Sequence, residues 1–173
     1  LTSTFETFKM AVPTDEDTTK LNLALANSRA RLRMTTLYYF AGIHGLLVTG
    51  TGNKVEDFGV GFYTKFVDGG VDLSPIADLM KSEVFLLGNY LDIPKSILEA
   101  SPTDGLFGDD RTDEDQLGAS YDELEWAMLQ DEAQRNSDDF SGRERIVFGI
   151  YKRLNTNNQH KMIPIPICHI EKY

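Results

Sequence analysis

Three polar clusters, each set beside an apolar segment, hold the residue types that could do chemistry. The first is residues 49–56 (TGTGNKVE), where Thr51, Asn53, Lys54 and Glu56 stand among glycines. A hydroxyl and an amide can address a phosphate or a base, and a carboxylate suits a hard cation such as Mg2+. Glycines at such a place let a nucleotide approach the backbone closely. The run does not match the phosphate-loop pattern G-x-x-x-x-G-K-[ST], because Lys54 follows Gly50 and Gly52 at the wrong spacing, and a polar turn stays open as a reading. The second cluster is residues 64–72 (TKFVDGGVD). Asp68-Gly69-Gly70 signals a turn, as in a hairpin, while Lys65 and Asp72 on either side could instead bracket a polar ligand. The third is Lys81, one turn into an amphipathic helix. A cation near a helix N-terminus opposes the dipole, which points to an anion nearby unless the side chain is simply solvated.

Other candidates are plainer. Arg31 and Arg33 could bind carboxylate or phosphate or could be surface residues, and at a separation of two they cannot share one helix face. Asp109, Asp110, Asp113, Glu114 and Asp115 resemble a metal loop in composition only, since the EF-hand glycine and terminal Glu are missing. His44, His160 and His169 form no metal or triad spacing, and Cys168 has no basic neighbour of the kind that activates a thiol.

These residues need elements to hold them. The 3-4 spacing of Leu21, Leu25, Ala26, Arg29, Leu32, Arg33 and Thr36 predicts a long helix over 20–43, closed by Gly42 and Gly45 with His44 at its negative end. Residues 46–49 read as a short buried strand, and 50–63 as a glycine-dense loop that could add a second strand at 61–66. Ser74-Pro75 predicts the start of a helix carrying Ile76, Leu79, Met80, Val84, Leu87 and Leu91. Pro94 opens a short helix to Leu98. Residues 105–116 read as an acidic mobile loop. Capping-box spacings, Ser120 with Glu123 and Ser141 with Glu144, start two further helices. The prolines of 162–170 force an extended tail.

The chain has 173 residues, of which 41% are hydrophobic, enough for one domain over 1–173. With 17 Lys and Arg against 27 Asp and Glu its net charge is −10, which argues against a nucleic-acid partner. No apolar run approaches the ~18 residues of a membrane span, and the first residues carry no secretory signal. Cys168 is the only cysteine, so no internal disulfide is possible and a reducing, cytoplasmic location is expected. One strand, or two, against four or five helices is too few for a buried parallel sheet. The expectation is that further strands lie outside these 173 residues.

Several strings in order resemble the NAD synthases: residues 27–34 (NSRARLRM), 49–56 (TGTGNKVE), 61–72 (GFYTKFVDGGVD) and 75–81 (PIADLMK), then Ile93-Pro94, Ser101-Pro102-Thr103, Asp113-Glu114, 117–122 (LGASYD) and His160-Lys161. The resemblance implies an α/β fold, a Rossmann-like parallel sheet flanked by helices, here incomplete and helix-rich. It implies a ligase that converts deamido-NAD to NAD with ATP and ammonia through an adenylated intermediate, releasing AMP and pyrophosphate. Carried over by position, Thr51, Lys81 and Thr103 would bind ATP, with Lys81 at its phosphates. Arg31, Lys65, Asp72, His160 and Lys161 would bind deamido-NAD, and Glu56 would ligate Mg2+. A homodimer, with the 20–43 helix at its interface, is also implied.

The chain departs from the family at three places. Val67 stands where the family has the first Gly of Gly-Asp-Gly-Gly, a strained position if that Gly takes positive φ. The family's Pro-Thr-Ala-Asp-Leu is here Pro102-Thr103-Asp104-Gly105-Leu106. The Ser-Gly-Gly-x-Asp-Ser pyrophosphate loop is not found in the 173 residues, so the domain is expected to lack its N-terminal part and the chain alone to be inactive. Two other readings stay open: the synthetase part of a glutamine-dependent enzyme, and a non-catalytic fragment that binds nucleotide or dimerises. The 105–116 loop, just after Thr103, is expected to close as a lid on ATP.

Overall fold

The computed structural model describes residues 1–67, 69–103, 105 and 112–171. Helix α2 (Thr18–His44) is the predicted long helix. Asp17 caps it by accepting from the Thr19 and Lys20 N–H groups, and those bonds hold its carboxyl below the usual range. Gly45 closes it in the left-handed conformation; Gly42 lies inside the helix. A helix not anticipated from the sequence, α1 (Thr2–Ala11), packs on it through buried Phe5, with the Arg29 guanidinium 4.5 Å above the ring.

Residues 46–49 do not form the expected buried strand. Leu46 and Leu47 are 63% and 68% exposed, and only a parallel bridge joins Thr49 to Leu73. A strand needs a partner along its length, and here, among the described residues, the neighbouring backbone contributes only Gly50 N–H to Leu73 O and Asp72 N–H to Val48 O. The second possible strand, 61–66, is irregular. The positive φ of this stretch falls on Phe66 (66°), so the expected strain at Val67 is displaced by one residue. The turn foreseen at 68–70 is partly outside the described residues, because Asp68 is; Gly70 N–H to Val67 O closes a turn there.

The glycine-dense segment is not all loop. Residues Val55–Val60 wind into a π-helical turn. Asn53, 2% exposed, starts it by accepting from the Val55 and Glu56 N–H groups. The helix expected from Ser74 begins later, as α3 (Lys81–Tyr90). Residues 74–79 form i→i+3 turns, and Met80, extended at ψ 160°, separates them from α3, with the Leu79 carbonyl beside that break taken by Lys54 N–H at 2.8 Å. Short α4 (Lys95–Leu98) follows Pro94 as predicted. Of the supposed loop at 105–116, residues Asp113–Leu117 are helical (α5), capped by Thr112; most of the rest of that segment, and with it the lid, lies outside the described residues.

Helix α6 (Tyr121–Glu132) has the predicted Ser120–Glu123 capping box. Helix α7 (Gly142–Met162) starts at Ser141, but the Ser141 side chain makes no capping bond. Gly142, at the first helical position, has a φ of 53°, an entry unlike the one a capping box needs. The π-turn, α6 and α7 enclose the core: Val55, Val60, Leu124, Met128, Val147, Phe148 and Tyr151 are buried together. After Met162 the chain is extended, as the prolines require.

Arg143 clasps α7 to the start of α6 through two 2.7 Å bonds to the Glu123 carboxylate. Arg143, with Ser120 N–H, draws Glu123 from its ordinary 4.5 down to about 2. A pKa lowered in the folded state stabilises fully above the unfolded value and fades as pH falls through the folded one. Wild type should therefore melt above Glu123→Gln at pH 6, and the gap should close between pH 4.5 and about 2. A gap in melting temperature that ignores pH over that window would contradict the clasp.

Candidate active site

A cavity of about 900 Å3 opens between α2, the segment 48–51, the stretch 61–67 and the end of α7. Arg31, Arg33, Lys65, His160 and Lys161 line it, with no Asp or Glu among its described walls. In a protein of net charge −10 this is a locally basic hollow, suited to a polyanion. Thr51 and Thr103 line the same space.

Local geometry explains the convergence. Asn27 and Arg31, one turn apart on α2, reach the 64–65 stretch: Thr64 Oγ1 donates to Asn27 Oδ1 at 2.7 Å, and Arg31 Nε donates to Lys65 O. Lys65 Nζ donates to His160 O. On α7, residues at intervals of three take successive carbonyls of the facing segment. Asn155 donates to Gly59 O, Asn158 to Val60 O, and Lys161 Nζ to both Gly61 O and Tyr63 O, all at 2.8 Å. Tyr63 OH returns a bond to Lys161 O. These bonds satisfy carbonyls that a helix end leaves open. Burial lowers the pKa of Lys161.

Beside the basic hollow lies an acidic one. A pocket of about 150 Å3 is lined by Glu56, Asp57 and Asp113 and shares Thr51, Phe62 and Tyr63 with its larger neighbour. Gly52 makes this approach possible, because a Cβ there would collide with both carboxylate oxygens of Asp57. Glu56 Oε1 accepts from Lys81 Nζ at 2.8 Å and from Tyr121 OH at 2.7 Å. Lys81 is the first residue of α3 rather than one turn inside it, and its ammonium answers the unfavourable dipole by pairing with Glu56. Burial and the nearby Glu56 and Asp113 carboxylates push the Tyr121 phenol above its ordinary pKa, so it stays a donor.

The family model for NAD synthase matches residues 1–164. The chain belongs to the NAD synthase family. It is 42% identical over 139 residues to the NH(3)-dependent NAD(+) synthetase of Carboxydothermus hydrogenoformans, covering 80% of this chain and 52% of that protein. The chain spans about half the length of the curated relatives it matches. Among solved structures, the NMN synthetase of Francisella tularensis superposes with a TM-score of 0.77 at 29% identity, covering 97% of this chain and 64% of that one. The NH3-dependent NAD synthetase of Campylobacter jejuni shares the fold, with a TM-score of 0.68 at 23% identity and coverages of 97% and 63%.

In this NAD synthase family member, six of the nine residues singled out from sequence line the larger cavity: Arg31, Thr51, Lys65, Thr103, His160 and Lys161. Glu56 lines the smaller one, and Lys81 meets it by ion pair. Asp72 is not brought to either. Its carboxylate accepts from Val48 N–H at 2.7 Å and faces Tyr38, whose phenol is raised by burial and by that charge. Tyr63, Asn158, Asp57 and Tyr121 were not singled out as site residues. Tyr121 and Tyr63 sit in the quoted strings 117–122 and 61–72, which were the available signal; the bonds of Tyr63 and Asn158 span nearly 100 positions, which spacing does not report.

Proposed function

We propose that the polypeptide carrying these residues amidates deamido-NAD to NAD with ATP and ammonia. The observation that carries the reading is the basic cavity set against the acidic pocket and the Glu56–Lys81 pair. In the first step an oxygen of the nicotinate carboxylate attacks the α-phosphorus of ATP and pyrophosphate leaves. In the second, ammonia attacks the acyl carbon and AMP leaves, giving the amide. Arg31, Lys65, His160 and Lys161 hold the dinucleotide's negative charge and orient its nicotinate end. Thr51 and Thr103 bond ATP, and Lys81 turns from Glu56 to the phosphates, where it stabilises charge on the leaving group. Asp72 holds the wall beside the dinucleotide through Val48.

Glu56 fits Mg2+ by donor chemistry. It offers a hard carboxylate oxygen in a small acidic pocket, and among the described residues no three His, Cys, Asp or Glu side chains converge as a closed cage. That suits an ion that keeps water and substrate phosphates in its shell. When bound, Mg2+ supplies neutralisation of phosphate charge.

The Thr49–Leu73 bridge is read as one edge of a parallel, Rossmann-like sheet. The exposed Leu37, Tyr39, Phe40 and Ile43 on α2 support homodimeric assembly, which sedimentation at micromolar concentration tests; a monomer there would refute it. A cytoplasmic site of action fits this chemistry, and an exported gene product would refute it. Among the described residues no helix is long and apolar enough to cross a membrane.

Calorimetric titration tests the reading. The 173-residue chain is expected to bind deamido-NAD, with about tenfold weaker binding in Lys65→Ala from the loss of one charged contact. It is expected to form no NAD by itself, because the pyrophosphate loop is not among its residues. Absence of dinucleotide binding would refute the first statement and ammonia-dependent turnover the second. The Francisella NMN synthetase favours a second reading, in which nicotinate mononucleotide is the substrate. Binding of the mononucleotide more tightly than deamido-NAD would select it.

A further inference from the structure

Glu56 is held in an uneven way. Its Oε1 takes both protein bonds, from Lys81 Nζ at 2.8 Å and from Tyr121 OH at 2.7 Å, while no protein bond to Oε2 is seen among the described residues. The carboxylate is mostly buried, at 17% side-chain exposure, and lines the small acidic pocket. Tyr121 touches both members of the ion pair, because its ring lies under the Lys81 ammonium at 4.6 Å. The tyrosine is itself firmly placed: its ring is buried, its N–H donates to Glu114 Oε1, and it comes directly after the Ser120 cap. Its hydroxyl also lies 3.2 Å from Asp113 Oδ2, a longer contact than the one to Glu56.

We propose that Tyr121 is the positioning residue of the metal site: by fixing Glu56 Oε1 it dedicates Oε2 to the divalent cation. This rests on the reading of Glu56 as a Mg2+ ligand. It goes beyond that reading by assigning a task to Tyr121 of the LGASYD string. The two holders of Oε1 differ in one respect. Lys81 is a cation that a triphosphate draws away, whereas the phenol is neutral and rooted in α6. When Lys81 leaves for the phosphates, Tyr121 is what keeps the carboxylate from swinging, at the moment its other oxygen is needed.

The test uses the 173-residue chain, with Mn2+ as the probe of the Mg2+ site and α,β-methylene-ATP as a nucleotide that is not cleaved. Free Mn2+ is followed by electron paramagnetic resonance, with nucleotide alone as the blank. Glu56→Gln and Tyr121→Phe are compared with wild type. Loss of an outer partner of a metal ligand costs about tenfold or more in metal affinity, so Tyr121→Phe is expected to weaken Mn2+ binding by about tenfold. Its affinity for deamido-NAD should stay at the wild-type value, a selectivity that general loosening of the fold would not produce.

If Glu56→Gln binds Mn2+ as wild type does, Glu56 is not the ligand, and its assignment to Mg2+ falls together with this inference. If Glu56→Gln is weakened but Tyr121→Phe is not, only the present inference is overturned. Should Tyr121→Phe fail to fold, 3-fluorotyrosine at position 121 keeps the ring and the hydroxyl. Its 19F resonance is expected to move when Mg2+ and the nucleotide analogue are added together, beyond any shift from the analogue alone, and not to do so in Glu56→Gln. A resonance that ignores Mg2+ in the otherwise wild-type chain overturns the inference.

Discussion

On the proposed reaction, Lys81→Met in the polypeptide that carries these residues is expected to lower kcat by about 10²–10³-fold, the usual cost of removing one charge-stabilising group from a transition state. Lys81 is only 19% exposed and begins α3, so its ammonium cannot retreat far into water. In the structure it is satisfied by Glu56 at 2.8 Å; on the proposed reaction a triphosphate would be its stronger acceptor, leaving Glu56 to the cation. Methionine keeps the length and packing but removes both effects. Lys81 does not line the basic cavity, where the proposed function puts deamido-NAD, so KM for deamido-NAD should change little. Steady-state kinetics with each substrate varied in turn would check this. A variant with intact kcat and a raised KM for deamido-NAD would place Lys81 at the other end of the reaction.

Gly61→Ala is expected to destabilise the chain by about 3 kcal/mol, the sum of a backbone cost and a packing cost. Gly61 has a φ of 62°, where an L-residue costs about 1–2 kcal/mol. An added Cβ would also press on the Asn158 side chain and come within 2.8 Å of Met162 Cε, and overpacking of this kind costs about 1–3 kcal/mol. For a chain of this length that lowers the melting temperature by about 6–12 °C. The substitution should weaken dinucleotide binding as well, because the Gly61 carbonyl is one of the two acceptors of Lys161. A loss below about 0.5 kcal/mol in denaturant titration, the level of an ordinary surface change, would mean the turn yields to a side chain.

Of the local start signals, the Ser120–Glu123 box was legible in the sequence, while Ser74 and Ser141 make no such cap. Ser120 caps α6 through a bond to the N–H three residues away, a bond encoded in spacing, whereas the Asp17 cap of α2 was not among the signals read. The start of α3 was not legible, because the chain is extended at Met80, beside a Leu79 carbonyl held by Lys54 N–H across about 25 residues. The π-turn was hidden for a similar reason: its closing carbonyls are satisfied from α7, nearly 100 positions on. For the site, the ordered strings brought Arg31, Lys65 and Lys161 to one cavity, although no spacing argument links residue 31 to 161. Asp72 went the other way. A carboxylate beside a turn reads as ligand chemistry, yet here it bonds the backbone at Val48.

The row of α7 side chains that grips the π-turn makes the basic hollow sensitive to arithmetic. Arg143 is anchored to Glu123 at one end of the helix, and Asn155, Asn158 and Lys161 find their carbonyls at the other. One residue inserted between Arg143 and Asn155 would turn the far end by about 100° and carry all three side chains off their acceptors together. Seven inserted residues would bring the angle back to within about 20°, but about 10 Å too far along the axis. The span between the two anchors therefore acts as a vernier: it admits one count of residues, and the cavity wall is in register only at that count.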